Sequence, residues 1–194
     1  MIDALARVVA LAFASGLNVY ATIAVLGLAE HYHLVSVPER FRVFDHPIVI
    51  GAALTMYLVE FVADKIPWLD TMWDAVHTVI RPIGGALIAV NAIGTATPAS
   101  IALAALLGGA IATTTHVTKA ATRAAANVSP EPFSNWLLSL SEDVIAIAIS
   151  WVALNHPILA SAVAMALLVL IMSTGWLIVR WVRRRATRGT DSLG

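Results

Sequence analysis

The chain has 194 residues, a one-domain length, and 59% of them are hydrophobic against 12% charged, more apolar surface than a water-soluble fold of this size can cover. Twelve basic residues balance twelve acidic ones, so the electrostatic footprint of a nucleic-acid binder is missing. With no cysteine, a disulfide framework, a thiolate metal site and a Cys nucleophile are all excluded. What remains is transport, intramembrane chemistry or scaffolding in a bilayer.

About 20 apolar residues cross the hydrocarbon, and the chain offers six runs near that length, beginning with Leu5 to Leu28. Ala12-Phe13-Ala14 imitates a signal cleavage site, but Asp3 accompanies Arg7 and the apolar character resumes from Val19, so a membrane helix is predicted instead of a leader. Ser15-Gly16-Leu17-Asn18 interrupts this run near its middle. Unwound backbone there would need protein or water to satisfy it, and the N-terminus of a half-helix suits an anion, which makes Ser15 and Asn18 candidate ligand contacts beside the plainer reading of a packing kink. The polar stretch Glu30 to His46 follows, with His31-Tyr32-His33 and His46 in it. No acidic or thiol ligand stands at a telling interval there, so no metal site is predicted.

The next runs are Pro47 to Val62, Pro82 to Ile93, Ala99 to Ala112, Trp136 to Leu154 and Ile158 to Val179. The first and last of the six are long enough to cross unaided. Those between are short and flanked by ionisable groups, which predicts broken, tilted or re-entrant segments. Pro67 is expected to close the helix that ends at Lys65, and Pro82 to start a new one. Ser129-Pro130-Glu131-Pro132 reads as a rigid extended stretch, after which Ser134 or Asn135 caps a helix from Trp136. Arg180, Arg183, Arg184, Arg185 and Arg188 follow the last run and predict a cytoplasmic C-terminus, with anionic lipid head groups as a further partner.

The informative residues lie inside this apolar frame. The chain has two lysines, Lys65 and Lys119, each at the end of an apolar run. Ionised groups in a bilayer cost several kcal/mol and usually face a bundle interior, where they find partners. Glu60 and Asp64 share a helical face; Asp70, Asp74, His77 and Arg81 recur at intervals of four, three and four; His116, Lys119 and Arg123 repeat that geometry. One stripe is thus mainly acidic and the other wholly cationic, with Glu142 and Asp143 available from a later segment. An interfacial helix with its charges in water is the competing reading of the Asp70 to Arg81 stripe.

The stretch Val59-Glu60-Phe61-Val62-Ala63-Asp64-Lys65-Ile66-Pro67, with Asp70, Trp73-Asp74, His77-Thr78 and Ile80-Arg81-Pro82, resembles a widespread bacterial group of small integral membrane proteins, the domain of unknown function 4126 family. The resemblance extends to Ser15 through Tyr20, Thr115-His116 to Lys119 and Arg123, Ser129 through Trp136, and Ser141-Glu142-Asp143, covering about Ala14 to Leu154. It implies a membrane fold and supplies no activity. A site built on His77 and Arg81, where relatives differ, would belong to a subgroup.

The fold class expected is all-α, a polytopic transmembrane bundle of about six hydrophobic segments, some broken or re-entrant. It forms one integral membrane domain over 1–194 with a basic tail at 180–194. Val62-Ala63-Asp64-Lys65 and His116-Val117-Thr118-Lys119 resemble one another, so repeat halves at 47–95 and 98–155 are also expected.

The leading functional expectation is an inner-membrane permease or flippase for an anionic substrate, a phosphate-bearing lipid or small organic acid. Lys65, Arg81, Lys119 and Arg123, helped by His116, Asn18, Ser15 and Asn135, would bind the anion. Asp64, Glu60, Asp74, His77, Glu142 or Asp143 would carry a coupling proton. The alternative is a cation or proton pathway in which the carboxylates conduct and the lysines are counter-charges. A packing network of salt bridges is the structural counterpart to both. An intramembrane lipid-modifying enzyme fits less well, because no zinc motif, no Gly-x-Ser-x-Gly serine and no paired-Asp spacing is present, and no cofactor is implied. Gly84-Gly85 and Gly108-Gly109 permit close helix approach within one chain or in a homo-oligomer.

Overall fold

The computed structural model of the chain describes residues 1–36, 38–127 and 132–190. Its regular structure there is wholly helical: α1 (Ile2–Leu17), α2 (Val19–His31), a short 3-10 turn (Glu39–Phe44), α3 (Pro47–Ala63), α4 (Pro67–Ala92), α5 (Pro98–Asn127), α6 (Pro132–Asn155) and α7 (Pro157–Thr190). Every helix from α3 onward opens on proline, where the missing N–H would have had no partner anyway. Gly94, at φ +71°, ends α4 in the left-handed conformation that glycine adopts without strain.

Three helices are long and apolar enough to cross a membrane, Trp68–Ala92, Pro98–Ala124 and Asn135–Asn155, and the chain is a membrane protein. These are the segments expected to be short. They continue past their apolar runs because the ionisable residues at their ends turn inward, to be buried by neighbours. Pro82 does not start a helix but lies inside α4, so Asp70 to Ala92 crosses once. Pro67 opens α4 and does not close α3, which has already ended at Ala63. Likewise α6 starts at Pro132, before the expected caps, and Asn135 stands in its first turns; the extended stretch expected at Ser129-Pro130-Glu131 lies outside the described residues.

The first apolar run, expected to cross unaided, does not cross. Asn18 is extended, at φ −152° and ψ 102°, and breaks it into two arms. Both arms head for the same end of the bundle. Along α6, Asn18 meets Asp143, Thr22 of α2 meets Ser150, and Arg7 of α1 donates to the Ala153 carbonyl, so α1 and α2 each run from the Asn18 apex toward the α6 C-terminus. We call that end lower; it carries Met1 and the α4–α5 and α6–α7 turns. The upper end carries the α3–α4 turn and the connection between α5 and α6. α1 is the hub, buried without interruption from Ala10 to Leu17 and packed against α4, α5, α6 and α7.

The α4–α5 contact is made by glycine. A Cβ on Gly85 would overlap the Ala112 side chain and come within 2.9 Å of the Gly108 carbonyl, and one on Gly108 would lie 2.7 Å from the Gly85 carbonyl. Helix propensity alone favours a larger residue by up to about 1 kcal/mol. The clash with backbone reverses the sign: Gly85→Val should destabilise by about 1–3 kcal/mol, read as a lower unfolding midpoint in detergent. A midpoint at or above that of the parent would contradict this close approach.

Candidate functional site

The spacing that places Asp70, Asp74, His77 and Arg81 on one stripe of α4 also buries all four, at 6% exposure or less, which rules out a helix lying in the head groups with its charges in water. At about 1.5 Å per residue the stripe descends some 21 Å from the start of a helix about 39 Å long. The charges therefore fill the upper half of the bundle and stop at the level of Asn18. Below lies an apolar core of Val8, Leu11, Ile88, Ala89, Ala104 and Ile149.

Facing the stripe, α5 brings His116, Lys119 and Arg123, α3 brings Glu60 and its C-cap Asp64, and α6 brings Asn135, Glu142 and Asp143, all buried. Lys119 Nζ sits 3.5 Å from Glu60, 3.3 Å from Asp64 and 3.5 Å from Glu142. Arg123 lies 3.0 Å from Asp64, 3.0 Å from Asp70 and 3.7 Å from Glu142. It also donates to the backbone and side-chain oxygens of Asn135 and to the Asp64 carbonyl, each at 3.0 Å. Arg81 pairs with Glu60 through a short hydrogen bond. Its other nitrogen donates to Gly16 O at 3.0 Å and to His116 Nδ1 at 2.8 Å, so the His116 ring carries its proton on Nε2, which donates to the Asp74 carbonyl at 3.1 Å.

The helix break is matched in charge. Arg81 and Lys119 donate to the Gly16 and Leu17 carbonyls, freed at the C-terminus of α1, where the helix dipole favours cations. Across the break, Asn18 Oδ1 accepts from Ala21 N and caps α2, while Asn18 Nδ2 donates to Asp143 Oδ1 at 2.9 Å. The amide thus links an acidic residue of α6 to the N-terminus of a half-helix.

Six carboxylates (Glu60, Asp64, Asp70, Asp74, Glu142 and Asp143) share this buried volume with three cations (Arg81, Lys119 and Arg123). Four of the six have a cation within 4.0 Å; Asp74 and Asp143 have none among the described residues. Asp74 Oδ1 and Asp143 Oδ2 are buried and lack any hydrogen-bond partner there. A cavity of about 130 Å³ between α5, α6 and α7 reaches Lys119 and Glu142, walled by Thr115, Thr118, Thr122 and Ser141 and by apolar residues of α7.

The two lysines part company. Lys65 is half-buried above the cluster, donates to Phe61 O at 2.8 Å, lies 3.5 Å from Ser139 Oγ, and sits 3.0 Å from the centroid of the Phe61 ring. Burial draws its ammonium below the usual lysine range, against the pull of Asp143 and Asp64. The quartets that suggested a repeat differ too: Lys65 follows the end of α3, whereas Lys119 is inside α5. Ser15 donates to Ala12 O of its own helix. His77 stacks on Trp73, donates from Nδ1 to Trp73 O at 2.8 Å, and meets Tyr20 OH through Nε2 at 3.1 Å. In the lower loop His31 meets Asp45 at 2.8 Å, and His46 caps α3 by accepting from Ile48 N, so these histidines do not converge. Sequence reasoning passed over Tyr20, Thr22 and Ser150 as site residues. The last two stand four after Asn18 and seven after Asp143, helical intervals that would have found them.

The family model described as Domain of unknown function (DUF4126) matches residues 5–176. The chain belongs to this family. Neither a curated protein nor a solved structure gives a match. The matched span holds the Asn18 break and every residue of the buried cluster, and family membership brings no reaction or substrate with it.

Proposed function

We propose that the protein is a membrane transporter in which the buried cluster carries protons, taken up and released by Asp74 and Asp143. The observation that carries this reading is the charge balance: among the described residues, six buried carboxylates stand against three buried cations, and those two have no cation within 4.0 Å in a volume where an unpaired charge is costly. A proton neutralises such a group without needing further ligands. The three carboxylates that do converge, Glu60, Asp64 and Glu142, converge on Lys119, and no group of three acidic or histidine side chains among the described residues is arranged to hold a metal ion, which favours a proton over a metal cation. An anionic substrate is supported less well, because Arg81, Lys119 and Arg123 are already occupied, and an incoming anion would have to displace Glu60, Asp64 or Glu142.

On this reading the upper end faces the cytoplasm of a bacterial inner membrane, because Arg180 and the arginines after it belong to the last turns of α7, at that end. The Asn18 apex would then be the floor of a half-channel open upward, with Glu142 at 8% and Asp74 at 6% the most exposed carboxylates of the cluster. In liposomes carrying a trapped pH dye, Asp143→Asn should cut proton flux about tenfold or more, since an amide cannot carry the proton. Asp143→Glu should retain part of it. Undiminished flux in folded Asp143→Asn would sink the proposal.

A further inference from the structure

A half-channel moves nothing unless it meets a route to the other face, and the lower half of the bundle is apolar except along one line. Past the Asn18 apex, where Ser15 of α1 bonds back to the Ala12 carbonyl, the other described buried polar side chains of that half are Thr22 and Ser150. They face each other: Ser150 Oγ lies 3.3 Å from Thr22 Oγ1, and both residues are fully buried. Thr22 Oγ1 donates to the Asn18 carbonyl at 2.9 Å, and Asn18 in turn holds Asp143. On α6, Ser150 stands seven residues after Asp143 and three before Ala153, so all three lie near one stripe. The Ala153 carbonyl accepts from Arg7 Nε at 3.3 Å, about one helical turn, or 5 Å, below the hydroxyl pair. Arg7 lines a recess of about 730 Å³ at the lower end, together with Asp3, Asn155 and His156. That recess is far larger than the space a single water needs.

We infer that the Thr22–Ser150 hydroxyl pair is the crossing point between the Asp143 end of the charge cluster and a water-filled lower vestibule at Arg7 and His156, which serves as the second port of the pathway. This inference rests on the proton-carrier reading of the cluster and adds its other half. Two hydroxyls suit the task because each donates and accepts, and because they carry no charge that would have to be neutralised at rest. Their present bonds run within the chain, Ser150 to the Ala146 carbonyl and Thr22 to the Asn18 carbonyl, so the route is closed as described. On this inference it opens when either hydroxyl turns from its carbonyl toward the lower recess.

The chain has no cysteine, so a single introduced thiol reports water access without background. Ser150→Cys in oriented membrane vesicles should react with silver ion added to the face that carries the N-terminus. Ala104→Cys, buried in the same half but off this line, should stay silent. Silver that reaches position 150 from neither face, or only from the opposite one, overturns the second port whatever the flux. In the proton assay, Thr22→Val and Ser150→Ala should each lower flux about tenfold, the rate equivalent of one lost hydrogen-bonding step. Thr22→Val keeps the side-chain shape, and gel filtration confirms that the bundle is intact. If both variants conduct normally while Asp143→Asn does not, the route is wrong and the cluster reading stands. If Asp143→Asn conducts normally as well, the cluster reading falls, and silver access alone decides the port.

Discussion

Replacing Lys119 by Met should cost the bundle about 3–5 kcal/mol, the loss expected when one partner is removed from a buried ionic group, and lower its unfolding midpoint in detergent by about 10 °C. The ammonium is fully enclosed, lies within 3.5 Å of Glu60, Asp64 and Glu142, and holds the Leu17 carbonyl at the helix break. Met fills similar volume, so the loss is one of charge and hydrogen bonds and not of packing. Without Lys119 the excess of carboxylates over cations grows from three to four. Adding Glu142→Gln to Lys119→Met restores the original excess and should recover a substantial part of the midpoint, although the Leu17 carbonyl stays bare. A midpoint within 2 °C of the parent for Lys119→Met, set against the shift expected from buried pairs, would mean that water reaches the cluster freely and screens it.

Much of this geometry can be read from spacing. The four, three and four intervals from Asp70 to Arg81 put those side chains on one helical face, but whether that face turns inward or lies among the head groups is decided by the burial of the stripe and not by its spacing. The interruption at Ser15 to Asn18 is equally legible, because small and polar residues in mid-run mark a break. The direction taken after a break is not. Whether Leu5 to Leu28 crosses or turns back depends on one extended residue, and that residue is held by Asp143, 125 positions away. Pro82 misleads for a related reason: proline at the start of a helix and proline within one look alike until the turns on either side are known to pack. Lys65 and Lys119 share a local sequence pattern yet differ in surroundings, since Lys119 sits within α5 inside the buried cluster, whereas Lys65 lies in the turn after α3. Thr22 and Ser150 escape notice because a hydroxyl in an apolar helix usually bonds back to its own turn, as both of these also do.

Arg81→Met should destabilise the protein at least as much as Lys119→Met, because Arg81 joins α4 to three other helices through one buried group. Its guanidinium pairs with Glu60 of α3, donates to Gly16 O at the end of α1, and donates to His116 of α5. The planar fork reaches all three from two separate nitrogens, and a lysine offers a single nitrogen in their place, so Arg81→Lys should recover the ion pair but not the backbone bond. The Gly16 carbonyl is then left bare in a dry interior, at a cost of about 1–3 kcal/mol. Glu60 keeps Lys119 at 3.5 Å when Arg81 is lost, so the Arg81→Met and Glu60→Gln double variant should be more stable than Arg81→Met alone. A coupling of about 0.5–3 kcal/mol in that cycle marks a directly interacting pair, whereas additive losses would place the two groups in separate environments. Because Arg81 grips the α1 arm two residues from the Asn18 apex, the Arg81→Lys variant also separates two properties. If its proton flux falls further than its stability, the position of the apex governs transport; if the two fall together, Arg81 does no more than hold the bundle closed.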